Sequence, residues 1–513
     1  MLSQQPQPTP DTKAKPRRGI VLVAVLVVVV LLSLAGYQYS DLMLSEYRAS
    51  ESAHRAVQAQ KFADSGIHYA AALLSNPDNF NNLLGGNPWN NPAMFQGIRL
   101  QGDNDLKGLF DIVAPPDIDD PSALTTPIYG VQDECGKINL NALMKTDATG
   151  QTLYNMLMLL PNMTTDIAGC IVSWMGGSYG ITNSGAQDDY YMSLSPAYHC
   201  KNGPIDSIDE LLLVKGVTWQ LLYGSDLNRN GVQEDGELGP NGFDRGWAAY
   251  LTVHSREQNS DANGNPFIYL NNTDLQTLYS SLVEGGVSDD LAKFIVMYRQ
   301  YGDGSPDDPK LPHATAGSFT PDFTKTANYT INTIYDLISP LVLIKKPDPN
   351  NPGKTISTIY PSPIGDVASQ RVQLPALFAV ATVVQATEIP ARININTAPS
   401  AVLATLPGLA ATDVQNILSI RPKVSAGDAI TDVFLSPGWL LTEAQISVKT
   451  LQKLDPYVTT RSQIYRVQSV GYFDGKGPAI RVEAVVDTNS GFPRILFWRN
   501  LSELGKGLIN PNQ

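Results

Sequence analysis

The chain has 513 residues, 43% of them of hydrophobic type, and a formal charge of −13. That length exceeds one small core and suits two to four domains. The acidic balance argues against nucleic-acid binding through a general field, and three cysteines without a CxxC exclude a disulfide-dense scaffold.

The N-terminus reads "PRRGIVLVAVLVVVVLLSLAGYQYSDLMLSEYRAS". Lys13, Lys15, Arg17 and Arg18 precede an uncharged apolar run from Ile20 to Gly36, and Asp41 and Glu46 follow it. The run is at the short end for a membrane span and long for a signal-peptide core. The flanking charges leave the N-terminus in the cytoplasm and export the rest. Signal peptidase at "SLAG", an uncut anchor, and cleavage at the polar–apolar border after Gly19 all fit the local residues. Apolar positions continue at helical spacing through Leu44, Tyr47, Val57, Ala63, Ile67, Ala70 and Leu74, and Asn76-Pro77 is the first stop signal. One helix over 20–75, roughly 85 Å long, favours the border cut, which keeps Ile20 as the new N-terminus and the helix intact. Ala49, Ala53, Ala56, Ala63 and Ala70 mark one side for close packing against other helices. Without its leader the body sits near −16, because residues 1–19 carry four basic groups and Asp11.

"NPDNFNNLLGGNPWNNPAMFQG" then reads as loop, and "PIYGVQDECGKINLNALM" alternates like a strand. Three stretches share one pattern: an apolar residue, an extended piece ending in Asn (Asn141, Asn271, Asn396), a helix, a tight turn and a second helix. The turns are Leu160-Pro161-Asn162, Gly285-Gly286 and Pro407-Gly408, and "SIDELLLVKGVTWQLLYG" at 207–224 is a fourth, partial echo. Each Asn is placed to cap its first helix. These pairs are similar to helix-hairpin-helix modules, but "PGLAA" and "LPNMT" lack the second glycine that admits a phosphate, so they read as bricks of a domain. "GDGSPDDPKLP" and "KKPDPNNPGK" read as linkers. The C-terminus alternates at Ile480, Val482, Ala484 and Val486 around a turn at 474–477 and reads as β.

Five histidines, at 54, 68, 199, 254 and 313, form no HExxH. No GxSxG, P-loop or dinucleotide fingerprint is present, so the residues suggest no catalysis. Asp188-Asp189 reads as a structural corner. Cys170 and Cys200 pair in one reading and, like Cys135, stay unpaired in the other. The specific signal is "DLNRNGVQEDGE", residues 226–237, which fits D-x-[DN]-x-[DN]-G-x₅-E. Alternating oxygen donors, a glycine for the bend and a distal carboxylate are what Ca²⁺ needs. The ligands are Asp226, Asn228, Asn230, Glu234 and Glu237, with the Val232 carbonyl. "DANGN" at 261–265 is a weaker candidate without a twelfth-place carboxylate.

"RRG" before the apolar helix, "ECGKINLNAL", "DDYYMSLSPAYHCKNGPIDSIDELLLVKGVT", "DLNRNGVQEDGE", "RININTAPSAVLATLPG" and "YVTTRSQIYRVQSVGYFDG" together resemble the K-type minor pseudopilins of the bacterial type II secretion system, the general secretion pathway protein K family. The resemblance implies an α+β protein: a long transmembrane pilin helix, a small antiparallel β-sheet, and a large inserted α-helical domain of helix-hairpin-helix or SAM-like units. It implies a leader at 1–19, a pilin helix at 20–75 and pilin-like loop and strands at 76–135. It further implies an inserted α-domain with the calcium loop at 136–390, a second helix-hairpin-helix-like unit at 391–455 and closing strands at 456–513. It implies no enzymatic activity but a subunit at the pseudopilus tip, anchored once in the inner membrane with a periplasmic body. Its partners are then the I- and J-type minor pseudopilins, the pseudopilus and exported substrates, with no nucleic acid. Pilins generally carry Glu at the fifth mature position; Ala24 stands there, as in K-type members. A membrane-anchored DNA-binding protein and a calcium-binding exported protein of other role are the alternatives.

Overall fold

The computed structural model describes residues 18–100, 108–182, 184–239, 242–261, 263–304, 308, 310–423, 429–474, 477–489, 491–505 and 507. Most of the expected leader therefore lies outside the described residues, as do 475 and 476 of the expected C-terminal turn. The chain divides into two units, residues 1–58 and 59–513. Helix α1, Arg18–Ser75, runs through the division. In the first unit it is exposed and apolar, with a mean hydropathy of 3.0 over its best 18-residue window, and it is long enough to cross a membrane.

In the second unit the end of α1 packs on an antiparallel sheet. The strands are β1 (Ile98–Arg99), β2 (Gly108–Val113), β3 (Gln132–Asp133), β4 (Ile464–Phe473), β5 (Ile480–Asp487) and β6 (Arg494–Asn500), in the order β1-β2-β4-β5-β6 with β3 also on β4. Ala59, Ala63, Ile67, Ala70 and Leu74 recur on one helical face and are all buried. They meet Phe110, Ile112, Val467, Val482, Ala484 and Val486. The approach is close because glycines allow it. A Cβ on Gly471 would lie 2.2 Å from the Ala59 carbonyl oxygen and 2.4 Å from the Ala63 nitrogen, and one on Gly66 would lie 2.2 Å from Ser469 Oγ. Ala63 and Ala70 thus serve the chain's own sheet rather than a neighbouring helix, which corrects the expectation for those two. Phe62 closes the flank edge-on to Phe473, with ring centroids 5.2 Å apart.

Between β3 and β4 the chain builds three helical units on one plan. Each opens with a two-residue strand and closes with another, parallel to it and in the same register. Ile138–Asn139 pairs with Leu251–Thr252, Ile268–Tyr269 with Ala381–Thr382, and Ile393–Asn394 with Val458–Thr459. The closing threonine is buried each time, and its hydroxyl accepts the amide two residues on, from His254, Val384 or Arg461. Helices at 140–146, 151–157 and 165–174 follow the first opening strand, those at 275–284 and 289–301 the second, and those at 400–403 and 411–420 the third. The expected turns are present, each at a left-handed residue: Asn162, Gly286 and Gly408. The segment 207–224 is the second half of the first unit, not a fourth unit.

The repeated asparagines do not cap. Asn139 and Asp274 take that role, accepting from Ala142 N and Thr277 N. Asn141 instead brackets a distant backbone residue, donating to Ile205 O at 2.9 Å and accepting from Ile205 N at 3.0 Å. Asn271 does the same to Ile331 at 2.8 and 2.9 Å. Asn396 donates to Phe434 O at 2.8 Å and accepts from the Trp439 indole at 3.1 Å. In each unit one side chain ties the first helices to the segment leading into the second half.

Two further expectations are corrected. The Asn/Pro-rich patch after α1 holds two short helices, Pro77–Asn82 and Pro92–Phe95, since Pro is favoured at a helix's first position. "KKPDPNNPGK" is no linker but the end of a hairpin, Leu341–Pro347 with Thr355–Pro361. Its prolines lie at the strand ends and tip, where no ladder hydrogen bond is needed.

The third unit buries Asp455 just after the helix Val448–Leu454. Burial pushes its carboxyl up to about 6, opposed by Arg392 and reinforced by Asp336 and Glu257. The folded protein holds this proton more tightly than the unfolded chain. Its contribution is therefore full below about pH 4 and is lost as the pH rises through about 6. Asp455→Asn is expected to equal the wild type below pH 4 and to exceed it by about 3 kcal/mol at pH 7; denaturant melts across that window measure the difference. The helix-on-sheet contact predicts that Gly471→Ala costs at least about 2 kcal/mol, whereas Gly203→Ala, with only one atom within 4 Å of its Cβ position, stays within about 0.5 kcal/mol. Thermal melts of the two variants check this pair.

Candidate calcium loop and its seat

The helix Trp219–Tyr223 delivers the loop. Thr218 caps its start by accepting Leu221 N, and Gly224, at φ 65°, turns the chain against Asp244. Ser225 N donates to Asp244 O at 2.8 Å, which closes the base of the segment 225–244 that contains the loop. Inside, Asp226, Asn230 and Glu237 are buried. Asp226 accepts from Gly231 N at 2.8 Å and Asn230 N at 3.2 Å. Asn228 accepts from Asn230 N at 2.9 Å, and Asn230 from Val232 N at 2.7 Å. Glu237 reaches back across the loop, taking Leu227 N at 3.0 Å and Glu234 N at 3.1 Å. The bends fall at Arg229 and Gly231, with φ of 57° and 72°.

This arrangement turns oxygens inward. Burial pushes the Asp226 carboxyl up to about 6, Glu237 adds to it, and the amides of Gly231 and Asn230 and the charge of Arg245 oppose it. Among the described residues no three His, Cys, Asp or Glu side chains form a metal cluster. A cation here must take amide and main-chain oxygens as well as carboxylates, which is the donor mixture of calcium loops. Asp226, Asn228, Asn230, Glu234, Glu237 and the Val232 carbonyl fit that mixture. Glu234 accepts from Asn230 Nδ2 at 2.7 Å, so it is held beside the others. The weaker candidate at 261–265 is an exposed turn in which Asp261 takes the amides of Asn263 and Asn265.

The seat of the loop escaped the sequence reading. Arg481 of β5 donates to Asn228 O and Gln468 of β4 to Arg229 O at 3.3 Å. Arg229 lies over the Tyr223 ring at 3.7 Å and the Trp219 ring at 4.4 Å. Gln468 and Arg481 stand at buried positions of apolar strands, and a polar residue on a core-facing position is the signal that could have found them.

The other expected sites are placed as follows. Gly19 and Ile20 lie in the exposed first turn of α1. Cys170, Cys200 and Cys135 are separate buried thiols, which is the unpaired of the two readings. Each has its own contacts: Cys170 Sγ accepts Ala186 N at 3.4 Å, and Cys200 Sγ faces the carbonyls of Ser173 and Trp174 at 3.9 and 3.8 Å. Asp188 is a corner residue, taking Cys200 N at 2.7 Å and His199 Nδ1 at 3.0 Å. A cavity of about 1480 Å³ opens beside the second and third units, with Phe378, Pro437, Tyr457 and Arg461 on its walls.

Residues 136–223 match the family described as type II secretion system (T2SS), protein K. The match begins at the first helical unit and ends three residues before the calcium loop. No curated protein matches the sequence. Among solved structures, a chain of the crystal structure of the GspK-GspI-GspJ complex from the enterotoxigenic Escherichia coli type 2 secretion system is similar at 12% identity and a TM-score of 0.37, over 89% of this chain and 99% of that one. The likeness to the protein K family covers residues 136–223, within the first helical unit.

Proposed function

We propose that the protein is a minor pseudopilin at the tip of the type II secretion pseudopilus, with a structural role in assembly and export rather than catalysis. The observation that carries this reading is the protein K match over the first helical unit, in a chain whose apolar helix runs on without a break onto its own sheet. Positive residues before the helix and acidic ones after it support a single pass through the inner membrane, with the body in the periplasm. Ala24 supports the tip. A subunit with no neighbour above it has no use for the carboxylate that pilins carry at the fifth mature position. The partners are the I- and J-type minor pseudopilins, reached through the exposed part of α1, and the body is available to exported substrates. Processing after Gly19 then leaves Ile20 at the membrane-borne N-terminus. Sequencing the membrane fraction is expected to start at Ile20; a start at Met1 or Gly36 overturns this.

In the periplasm the loop 226–237 holds Ca²⁺ for structural reasons. Bound calcium supplies the positive charge that Asp226, Glu234 and Glu237 lack, and the chain's own amides fix their directions. Stabilisation follows RT ln(1 + [L]/Kd), about 2.7 kcal/mol at a hundredfold excess over Kd. The purified protein is therefore expected to melt several degrees lower in EGTA than in millimolar calcium, with Glu237→Gln removing most of the difference. Equal melting in both buffers overturns the assignment.

A further inference from the structure

The loop's backbone has two sides. Its side chains at 226, 230 and 237 turn inward, while the carbonyls of Asn228 and Arg229 turn outward to the sheet. Asn228 O accepts from Arg481 and Arg229 O from Gln468. Three more bonds hold the same seat: Gln233 N to Leu124 O at 2.7 Å, Asn230 Nδ2 to Gly507 O at 3.2 Å, and Arg245 Nη1, from just past the loop, to Pro116 O at 3.0 Å. Gly231 packs on Pro115, where a Cβ would come within 2.2 Å.

Arg481 is the decisive partner. It is fully buried, and its Nε and Nη1 find no acceptor among the described residues. The Asn228 carbonyl is the one acceptor its side chain reaches there. An arginine that loses it becomes a buried guanidinium without a hydrogen bond, which is costly. We propose that Arg481 couples cation binding in the loop 226–237 to the seating of the first helical unit on the β-sheet.

The coupling follows from the two-sided backbone and rests on the calcium reading above. A cation drawing in the side chains of Asp226, Asn228 and Asn230 fixes the peptide planes between them. Those planes aim the Asn228 and Arg229 carbonyls at β5 and β4. Without the cation, Asp226 and Glu237 repel each other across the loop, the planes relax, and Arg481 and Gln468 lose their acceptors. Coupling of this kind is reciprocal: if calcium secures the seat, the seat tightens calcium.

The test uses the full chain in detergent micelles, with calcium titrated from an EGTA-buffered start. Calorimetry reads affinity, and hydrogen exchange with mass spectrometry reads peptides covering 226–237 and 480–487. In the wild type, calcium is expected to slow exchange in both peptides. In Arg481→Met it is expected to slow the loop alone, with affinity weakened about tenfold. Should Arg481→Met not fold, Gln468→Leu carries the same readings with a loss of about threefold. Wild-type affinity in Arg481→Met together with calcium-dependent protection of 480–487 overturns the proposal. So does a variant whose melting point falls equally in calcium and EGTA, since that marks plain packing. A wild type whose loop binds calcium while 480–487 stays unchanged defeats the coupling alone, whereas a wild type that binds no calcium defeats the cation reading and the coupling with it.

Discussion

Where the chain leaves the sheet for the helical units, two adjacent carboxylates sit in the interior, and most of the body is organised about them. Glu134 is fully buried. It accepts from Lys137 Nζ at 3.0 Å, Arg466 Nε at 2.6 Å and the Thr252 hydroxyl. Burial alone would raise its pKa, but Arg466 and Lys137 hold it well below the usual carboxylate range. Arg466 carries the chain of contacts on to Glu483 at 2.7 Å, and Glu483 to Arg499 at 3.0 Å. Arg499 then returns to the first helical unit through Asp209 at 3.2 Å. Removing Glu134, Arg466 or Glu483 costs about 3–5 kcal/mol, because it leaves a buried charge unpaired. Its specificity comes from the same source: only one seating of the first unit on β4, β5 and β6 satisfies every member.

Asp133 performs the matching task for the third unit. Its carboxylate accepts from Ser462 Oγ and Thr397 Oγ1, both at 2.6 Å, and from Asn394 Nδ2 at 2.9 Å, while its own strand pairs with β4. Glu257, just past the first unit, is gripped by both ends of the Arg392 guanidinium, which leads into the third. The helical units are therefore not beads on a string. The entry to the insertion, at Asp133, and the boundary between the first and second units, at Glu257, each carry a buried acid whose partners include residues of the third unit. An insertion of this size stays rigid relative to its sheet only if its entry and exit are locked together, and Asp133, next to the entry, binds Ser462, next to the exit.

How much of this was legible depends on whether a residue's neighbour in space is also its neighbour in sequence. The long helix showed itself because apolar spacing and Asn76-Pro77 are local. The hairpin turns showed themselves for the same reason, through Asn162, Gly286 and Gly408. The candidate loop is twelve consecutive residues, so its motif could be read locally, and the structure shows Asp226, Asn230 and Glu237 buried within it. The asparagine bracket was visible as a repeat and misread as a cap, because Ile205 and Ile331 lie 64 and 60 residues away. Ala63 and Ala70 were read as a packing face, which they are; what they pack on was set by Gly471, some four hundred residues later. Arg481 was missed because nothing in "AIRVEAVV" says that the charge faces inward. Spacing reveals a face and its chemistry. The partner of that face is a property of the topology.

The placement of the loop 226–237 follows from the same topology. The buried charges around Glu134 secure the first unit near its entry, where strand β3 hands over to "CGKIN". The loop follows the helix Trp219–Tyr223 of that unit and touches the segment 115–124, β4, β5 and residue 507. The two attachments adjoin on the sheet, because Gln468 donates both to Glu483 at 3.0 Å and to Arg229 O at 3.3 Å. The entry attachment is built from charges already paired within the chain and is complete as soon as the fold closes. The other attachment has its carboxylates crowded without a cation of their own, and its nearest arginines, 245 and 481, lie outside the loop.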